Sequence, residues 1–255
     1  MLTDRRAQHI AEVLRAQPGA QLRVGVVRGP IGAAEVTAIG PLSDAEQPAP
    51  AALSTGPASP RQPPGPYRVA LDVTLAATTA PAPSVELVLA VPRPKALPRI
   101  IQSAAALGVA RIDLVNAWRV DKSYLSARKL DPAVLAHHAR LGCEQGGGTW
   151  VPDVAVHPLL MPFVRDVLPD RLRAVERALI AHPRDAALIE HIVGPGERPR
   201  LALAVGPEGG WIERERETFA ALGFQAVTCG AQILRVETAV SALLAQLELL
   251  ARLGG

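Results

Sequence analysis

Residues 201–239 decide the fold of this chain and read LALAVGPEGGWIERERETFAALGFQAVTCGAQILRVETA. The stretch begins with Leu201 to Val205, an unbroken apolar run typical of a strand buried on both faces of a parallel sheet. Gly206-Pro207-Glu208-Gly209-Gly210 follows at once, and its glycines let the main chain approach a ligand because no Cβ stands in the way. Ala226 to Thr228 is a shorter apolar run, and Gly230 and then a long predicted helix follow it in the sequence. Two such loops side by side predict a small-molecule site built largely from backbone.

The chain from about Val85 onward alternates strand and helix patterns. Strands are predicted at Glu86 to Val91, Arg111 to Val115 and 175–181. A helix from about Pro132 to Cys143 lies between them. Another helix is predicted from an apolar face that ends at a glycine cap, formed by Leu97, Ile100, Ile101, Ala104, Leu107 and Gly108. The last helix carries an apolar stripe of Val236, Ala239, Val240, Leu243, Leu244, Leu247 and Leu250. The fold class is therefore α/β with a mostly parallel sheet, whose ligands bind at the carboxyl ends of the strands.

The first part of the chain predicts a small β domain. Residues 22–27 and 33–39 read as short strands joined by a turn at Arg28-Gly29-Pro30, and Tyr67 to Leu75 alternates like a further strand. Between them, Ser43 to Pro66 is dominated by Pro, Ala, Ser and Gly, which is typical of a linker or an inserted loop. We expect a small β barrel interrupted by this insertion.

Composition favours a protein of the cytoplasm with a substantial core. Of 255 residues, 49% are hydrophobic, yet no apolar run approaches the ~20 residues needed to cross a bilayer. Cys143 and Cys229 match no metal-ligand spacing, so we expect reduced thiols and no metal. The 27 Lys plus Arg against 24 Asp plus Glu are mostly arginine. Arginine suits phosphate contacts with RNA, but a GC-rich genome explains the same excess.

The two glycine strings, in this order, resemble those of the SPOUT class of RNA methyltransferases. More narrowly, they resemble the family that methylates N3 of a uridine in 16S ribosomal RNA. That family has Gly-Pro-Glu-Gly-Gly followed by Leu-Arg-Thr-Glu-Thr-Ala, and residues 234–239 of this chain read Leu-Arg-Val-Glu-Thr-Ala. Weaker matches lie upstream at His9 to Arg15, Lys95, Ile101-Gln102-Ser103, Leu107-Gly108-Val109, Cys143-Glu144-Gln145 and Val151-Pro152.

The resemblance implies a fold that the patterns alone do not predict. It implies a PUA-like RNA-binding β barrel at 1–78, with the Pro/Ala-rich insertion at about 43–66. It implies a SPOUT methyltransferase domain at 79–255, with helices on both faces of the sheet and a C-terminal trefoil knot. Threaded chains are very rare, so periodicity alone would not suggest a knot. The family also implies S-adenosyl-L-methionine as cofactor, ribosomal RNA or the small ribosomal subunit as partner, and a homodimer. The stripe on the last helix fits either the dimer or a plain core helix.

The resemblance also implies the site residues. The cofactor contacts are Ile180, Ala181, His182, Val205, Gly206, Pro207, Glu208, Gly209, Gly210, Gly230, Ile233, Leu234, Arg235 and Glu237. The candidate RNA contacts are Lys95, Arg119, Lys122 and Arg128, each of which could also be ordinary surface charge.

Arg235 is the catalytic candidate. Uridine N3 must lose its proton, and a cation near O2 or O4 would stabilise the negative charge that develops there. A structural salt bridge with Glu237 or Glu208 is the alternative role of Arg235. Other residues also leave two readings open: Glu237 could cap the last helix, and His182 could be an exposed loop residue. Residues 213–217 read as a solvated helix face.

Three departures from the family pattern bear on activity. Val236 replaces a threonine, Gly148 stands where an arginine is expected, and the chain begins close to the His9 segment. The predicted function is methylation of N3 of a uridine in 16S ribosomal RNA. The alternatives are methylation of another RNA position, or an inactive protein that still binds S-adenosylmethionine and RNA. The sequence does not name the nucleotide.

Overall fold

A computed structural model describes residues 1–42, 66–126 and 128–253. The chain falls into two units, Met1–Ala80 and Pro81–Gly255. Apart from Pro66, the insertion expected at about 43–66 lies outside the described residues.

The first unit contains an antiparallel sheet of three strands in the order β1-β2-β3. These are β1 (Gln21–Gly25), β2 (Pro30–Pro41) and β3 (Tyr67–Thr79). A short helix, α1 (Arg5–Gln8), begins at Asp4, whose carboxylate accepts a hydrogen bond from the N–H of Arg6, and it runs on into a π-helical turn. The small core of this unit is formed by Ala7, Ile10, Val36 and Val69. The PUA-like barrel, its limits at 1–78 and its RNA-binding role stay predictions.

The second unit is built on a parallel sheet of seven strands, which confirms the predicted α/β class. In chain order the strands are β4 (Val85–Ala90), β5 (Val109–Val115), β6 (Asp153–His157), β7 (Arg177–Ala181), β8 (Ala187–Leu188), β9 (Leu201–Val205) and β10 (Gln225–Thr228). Their order in the sheet is β6-β5-β4-β9-β7-β10-β8. All five residues of β9 are buried, as its unbroken apolar run predicts. The trefoil knot stays a prediction.

Helices and short helical turns connect these strands. They are α2 (Leu97–Ala106), α3 (Lys122–Leu125), α4 (Pro132–Gln145), α5 (Leu160–Pro162), α6 (Leu168–Leu172), α7 (Glu213–Ala221) and α8 (Val236–Arg252). Helices α2 and α4 pack closely because Gly142 of α4 has no Cβ. A Cβ at this position would collide with the backbone of Gln102 in α2. The sequence patterns predicted α2, α4, α8 and a helix at 213–217, but they did not predict β6, β8, α3, α5 or α6.

The apolar stripe of α8 belongs to the core of its own unit. Its buried members are Val236, Val240, Leu243, Leu244, Leu247 and Leu250. They form one cluster with β9 and α2. Packing in the core of its own unit therefore explains the apolar stripe. The stripe gives no independent support for a homodimer.

One charged residue is buried within the sheet. Asp113 of β5 is 2% exposed, and its carboxylate accepts hydrogen bonds from His157 Nε2 at 2.7 Å and Arg111 Nε at 3.0 Å. A buried carboxylate is tolerated when such donors satisfy it. This cluster ties β5 to the edge strand β6.

Candidate functional site

Three neighbouring strands end at the place where both glycine strings begin. Strand β7 lies between β9 and β10, and both pairs are parallel. Because parallel strands share one carboxyl edge, the loops that begin at His182, Gly206 and Cys229 lie side by side. The N–H of His182 donates to Val227 O at 2.9 Å, which holds the first of these loops to β10.

These loops enclose a cavity of about 290 Å³, together with the start of α8. That volume is close to the lower end of the ~300–1,000 Å³ of small-molecule sites. The predicted residues that line it are Ala181, His182, Val205, Gly206, Pro207, Glu208, Gly209, Gly210, Ile233 and Leu234. The lining residues that the sequence did not predict are Pro183, Trp211, Val227, Thr228, Cys229, Gln232, Val236, Ala239 and Leu243.

Four predicted cofactor residues do not line the cavity. Ile180 is buried within β7, and Gly230 shapes its loop with a φ of 151°. Arg235 is the exposed residue at which α8 begins, and Glu237 lies in the first turn of that helix. The structure therefore brings most of the predicted set together and places these four beside it.

Gly210 gives the first loop its shape. Its φ is 71°, a conformation that other residues adopt with strain, and its N–H donates to Pro207 O at 2.7 Å. A Cβ added at this position would meet no atom within 4 Å. The glycine therefore closes a tight turn and leaves open space at the cavity.

Contacts from two other segments anchor the same loop. The carboxylate of Glu208 accepts a hydrogen bond from the N–H of Arg93 at 3.0 Å, and the Nε of Arg93 lies 3.7 Å from it. On the next residue, Gly209 O accepts from Arg119 Nη1 at 2.5 Å. The loop after β9 is thus held by residues that follow β4 and β5.

Trp211 forms part of the cavity wall and has an unsatisfied donor. The residue is 4% exposed, and its Nε1 is buried without a hydrogen-bond partner among the described residues. Its ring packs 5.1 Å from that of Phe219 and lies over Gly206, where an added Cβ would come within 3.1 Å of Nε1. A buried donor of this kind needs an acceptor, which either an ordered water or a bound molecule can supply.

The start of α8 offers further donors. The helix begins at Arg235 without a side chain that accepts from its first N–H groups, and Val236 and Ala239 line the cavity. The first N–H groups of a helix have no partner within it, and they carry the positive end of its dipole. This end of the cavity therefore suits an acceptor or a negatively charged group.

His182 lies in the cavity wall in a defined orientation. Its Nδ1 is 2.5 Å from the carbonyl oxygen of Arg184, so this nitrogen carries the proton and donates. Of its two predicted readings, a place in the site describes His182 better than an isolated loop histidine.

The alternative role of Arg235, a structural salt bridge with Glu237 or Glu208, is wrong. Glu208 pairs with Arg93 instead, and within residues 1–42, 66–126 and 128–253 no hydrogen bond or ion pair involves the Arg235 side chain. Glu237 likewise has no recorded partner for its carboxylate in the described chain. Arg235 is therefore an exposed cation beside the cavity, available to a ligand.

The four candidate RNA contacts are all exposed. Arg119 is the one with a structural partner, since it bonds Gly209 O. Lys122 opens α3, and Arg128 opens a short helical turn just after it. Lys95 lies between β4 and α2. These cations follow the carboxyl ends of β4 and β5, which is the edge of the sheet where the cavity lies.

The prediction that residues 213–217 are a solvated face is wrong for Glu215. This residue is 5% exposed, and its carboxylate accepts hydrogen bonds from the N–H groups of Ile212 at 3.0 Å and Trp118 at 2.8 Å. It therefore joins the start of α7 to the loop after β5. An exposed Glu213 and a buried Glu215 alternate in the same sequence run, so composition could not separate them.

Gly148, where the family has an arginine, lies away from the cavity. It precedes β6, so it belongs to the edge of the sheet where the parallel strands begin. Trp150, two residues later, donates from Nε1 to Ala110 O at the start of β5. The missing arginine therefore removes no group from the cavity wall of this chain. Val236, the other departure, does line the cavity.

A second cavity of about 220 Å³ lies at the opposite edge of the sheet. It is bordered by the starts of β4 and β9 and by the C-terminal half of α8, where Arg198 pairs with Glu248 at 3.4 Å. It contains neither glycine string and none of the predicted site residues. The cavity at the carboxyl edge is therefore the better candidate.

The described residues offer neither a metal site nor a membrane-spanning helix. No group of three or more His, Cys, Asp and Glu side chains could hold a metal ion there. In the same part of the chain, no helix has both the length and the apolar character to cross a membrane. Cys143 and Cys229 are free thiols. Burial raises the pKa of Cys143, and the negative charge of the nearby Glu144 raises it further.

Comparison with known proteins connects this cavity to a family. The family model described as RNA methyltransferase domain matches residues 79–248, well over half of the chain. Ribosomal RNA small subunit methyltransferase E of Treponema pallidum is 28% identical over 246 residues, which cover 94% of this chain and 80% of that protein.

Solved structures show the same fold. A small subunit methyltransferase E from Neisseria gonorrhoeae bound to S-adenosyl methionine has a TM-score of 0.68 at 23% identity, and the match covers 98% of this chain and 90% of that one. A methyltransferase from Legionella pneumophila, solved with bound S-adenosylmethionine, has a TM-score of 0.66 at 22% identity, covering 95% and 88%.

Proposed function

Because the chain belongs to the RNA methyltransferase domain family, we propose that it transfers a methyl group from S-adenosyl-L-methionine to small-subunit ribosomal RNA. The proposed acceptor is N3 of a uridine in 16S ribosomal RNA. The observation that carries the proposal is the cavity enclosed by the two glycine loops, which lies within the matched residues 79–248. The uridine N3 position rests on the resemblance of residues 206–210 and 234–239 to one family.

The residues of the cavity fit this cofactor. Trp211 offers a buried N–H without a partner, and the start of α8 offers main-chain donors. Glu208 is the only acidic residue among the described residues that line the cavity, and the cofactor carries a positive sulfonium group. The side chains of Leu234, Val227 and other lining residues provide apolar surface for the faces of adenine.

The cofactor supplies a methyl group on a sulfonium leaving group, so the chain needs to position the acceptor rather than create a nucleophile of its own. The backbone of 206–210 would lie against the bound cofactor, and Arg93 and Arg119 hold that loop in place. Holding the methyl donor and the acceptor in the reactive geometry accounts for much of the catalysis when both molecules are bound.

Arg235 is proposed to stabilise the uridine as it loses the N3 proton. Loss of this proton spreads negative charge over N3, O2 and O4. Arg235 is an exposed cation at the start of α8, beside the cavity wall formed by Leu234 and Val236. A cation held near O2 or O4 lowers the free energy of the charged state, and through it the barrier to transfer.

RNA binding is assigned to the cations at the same edge of the sheet and to the first unit. Lys95, Arg119, Lys122 and Arg128 are proposed to contact the phosphate backbone, and residues 1–78 are proposed as a PUA-like RNA-binding barrel. We also propose a homodimer and a cytoplasmic location, where ribosomal RNA would be modified. Exposed Leu249 and Leu253 leave apolar surface on α8 for a second copy.

Loss of catalysis with retained binding is the second candidate function. Val236 favours it, because a buried valine lines the cavity where the family pattern has a threonine hydroxyl. Such a protein would bind the cofactor and RNA without transferring a methyl group. A methyltransferase acting on another RNA position is the remaining alternative.

Mass spectrometry of nucleosides from 16S ribosomal RNA tests the proposal. Cells that lack the gene are compared with cells that carry it again on a plasmid. Loss and rescue of N3-methyluridine would establish the reaction and the substrate together. Unchanged N3-methyluridine with loss of another methylated nucleoside would shift the position, and no change in any nucleoside would favour the inactive binding protein.

A further inference from the structure

Trp118 is an exposed tryptophan on a rigid backbone. Its side chain is 79% exposed, although tryptophan is a residue type that is highly buried on average. It lies in the loop between β5 and α3, at the carboxyl edge of the sheet. Its N–H donates to the buried carboxylate of Glu215 at 2.8 Å. The loop is thus held in place while the indole ring is presented to solvent.

Trp118 is the chain neighbour of a residue that contacts the cavity wall. Trp118 does not line the cavity, whereas Gly209 does, and the adjacent residue Arg119 bonds the carbonyl oxygen of Gly209. Consecutive Cα atoms are ~3.8 Å apart, so the backbone of Trp118 is one residue from the side chain that supports this wall.

The charge around Trp118 favours a polyanion. Between residues 116 and 131 the cations are Arg119, Lys122, Arg128 and Lys129, and the acids are Asp121 and Asp131. Both carboxylates are bound at helix starts, where they accept from the N–H groups of Ser123 and Ala133. The bond from the Ser123 N–H, followed by that from the Ser123 hydroxyl, lowers the pKa of Asp121. Four cations against two carboxylates give the segment that carries this aromatic ring a net positive charge.

Chemistry at a base edge disturbs the stacking of the neighbouring bases. N3 of a uridine lies on the edge used for base pairing, so the base must leave its pair and its stack before it can react. The bases beside it then lose a stacking partner. Aromatic side chains replace that partner in proteins that bind single-stranded RNA, with little dependence on sequence.

We propose that Trp118 stacks on a base that flanks the methylated nucleotide of the RNA substrate. The inference rests on the proposed function and adds a residue that determines RNA affinity. The competing proposal is that Trp118 contacts another protein, because Leu159 and Met161, just before and within α5, are also exposed. The amide of Asn116 joins the two loops by donating to Pro158 O at 2.9 Å. The surrounding cations favour RNA over an apolar protein contact.

Three substitutions separate stacking from a general apolar contact. Trp118→Ala removes the ring, Trp118→Leu keeps apolar bulk without a π face, and Trp118→Phe keeps a smaller face. The substrate is the small ribosomal subunit from cells that lack the gene. We expect Ala and Leu to raise KM for the subunit about 10- to 100-fold, and Phe to stay within about 3-fold of wild type. Affinity for S-adenosylmethionine, measured by calorimetry, is expected to be unchanged in all three.

The control is Leu107→Ala, which removes an exposed apolar side chain at the opposite edge of the sheet and should change neither constant. A Leu variant that matches Phe would overturn the stacking proposal. So would a Trp118→Ala variant whose sedimentation changes while its KM does not, because that result indicates a protein interface. Filter retention of labelled 16S ribosomal RNA compares the same variants without catalysis. It therefore tests Trp118 even if the wild-type protein transfers no methyl group.

Discussion

The guanidinium of Arg119 donates a hydrogen bond to the carbonyl oxygen of Gly209, joining the loop after β5 to the loop after β9 across 2.5 Å. The stem of the same side chain covers Gly209, where an added Cβ would come within 3.1 Å of Arg119 Cδ. Arg119 therefore supports the cavity wall in addition to the RNA contact proposed for it. A residue with both roles should affect cofactor and RNA affinity together.

Arg119→Ala is expected to weaken binding of S-adenosylmethionine about 10-fold, because the loop loses a charge-assisted hydrogen bond at a solvent-exposed position. Calorimetry measures this directly. Arg128→Ala is the matched control, since Arg128 is an exposed cation that does not touch the loop, and it should weaken RNA binding alone. Unchanged cofactor affinity in Arg119→Ala would return this arginine to a purely RNA-binding role.

Gly210→Val is expected to abolish cofactor binding while leaving a folded protein. The new side chain enters the open space at the cavity, and the φ of 71° adds backbone strain of ~1–2 kcal/mol. Gly223→Val is the matched control, because Gly223 has a φ of 87° and the same open surroundings but precedes β10 at the other edge of the sheet. Both variants should lose similar thermal stability, and only Gly210→Val should lose binding in calorimetry. Equal loss of binding in both would mean that strain, not the cavity, is responsible.

The sequence predicted the part of the site that depends on local pattern. An apolar run that is followed by glycines and then by a helix marks the end of a strand. This pattern is local, so the loops at 206–210 and 229–235 could be predicted without a structure. Trp211 could have been found in the same way, because it directly follows the first string. The pattern gave no sign that its Nε1 lacks a partner.

The missed features depend on contacts between distant segments. Glu215 lies in a run of alternating charges, and only the approach of the loop that carries Trp118 makes it a buried acceptor. Strand β6 escaped prediction because Asp153–His157 is short, begins with an acid and lies at the edge of the sheet. Its histidine pairs with Asp113, 44 positions earlier in the chain. No sequence window contains such a pair.

Glu215→Ala is expected to lower the free energy of unfolding by about 1–3 kcal/mol, because the N–H groups of Ile212 and Trp118 lose their acceptor. Glu215→Gln should lose less, since its amide oxygen still accepts one bond. Chemical denaturation measures the difference. Glu213→Ala, on the exposed face of the same helix, should stay within about 0.5 kcal/mol of wild type. A similar loss in Glu213→Ala would show that helix charge, not the buried carboxylate, matters.

His138 is expected to make the protein less stable in mild acid. Its Nδ1 lies 3.0 Å from the amide of Gln102, and burial, then His137, then Lys129 lower its pKa below 6.5. The unfolded chain therefore binds this proton more readily than the folded chain, so stability falls as pH drops below about 6.5 and levels off below the folded pKa. Comparing unfolding at neutral pH and in mild acid, His138→Gln should reduce the loss, because glutamine does not titrate. An equal loss in wild type and variant would assign the effect to other groups.

Arg235→Ala is expected to lower kcat about 10²- to 10³-fold, with little change in cofactor affinity. Cofactor affinity should change little because Arg235 does not line the cavity. The rate should fall because Arg235, at the start of α8, is proposed to stabilise the negative charge that develops on the uridine. Arg235→Lys should recover part of the rate, because it restores the charge without the planar guanidinium. Arg252→Ala is the matched control at the opposite end of α8, where Arg252 pairs with Glu248, and it should leave kcat unchanged. A rising pH should also rescue Arg235→Ala more than wild type, since hydroxide removes the N3 proton without help from the cation. A near-normal rate in Arg235→Ala, with no steeper pH dependence, would exclude charge stabilisation by this residue.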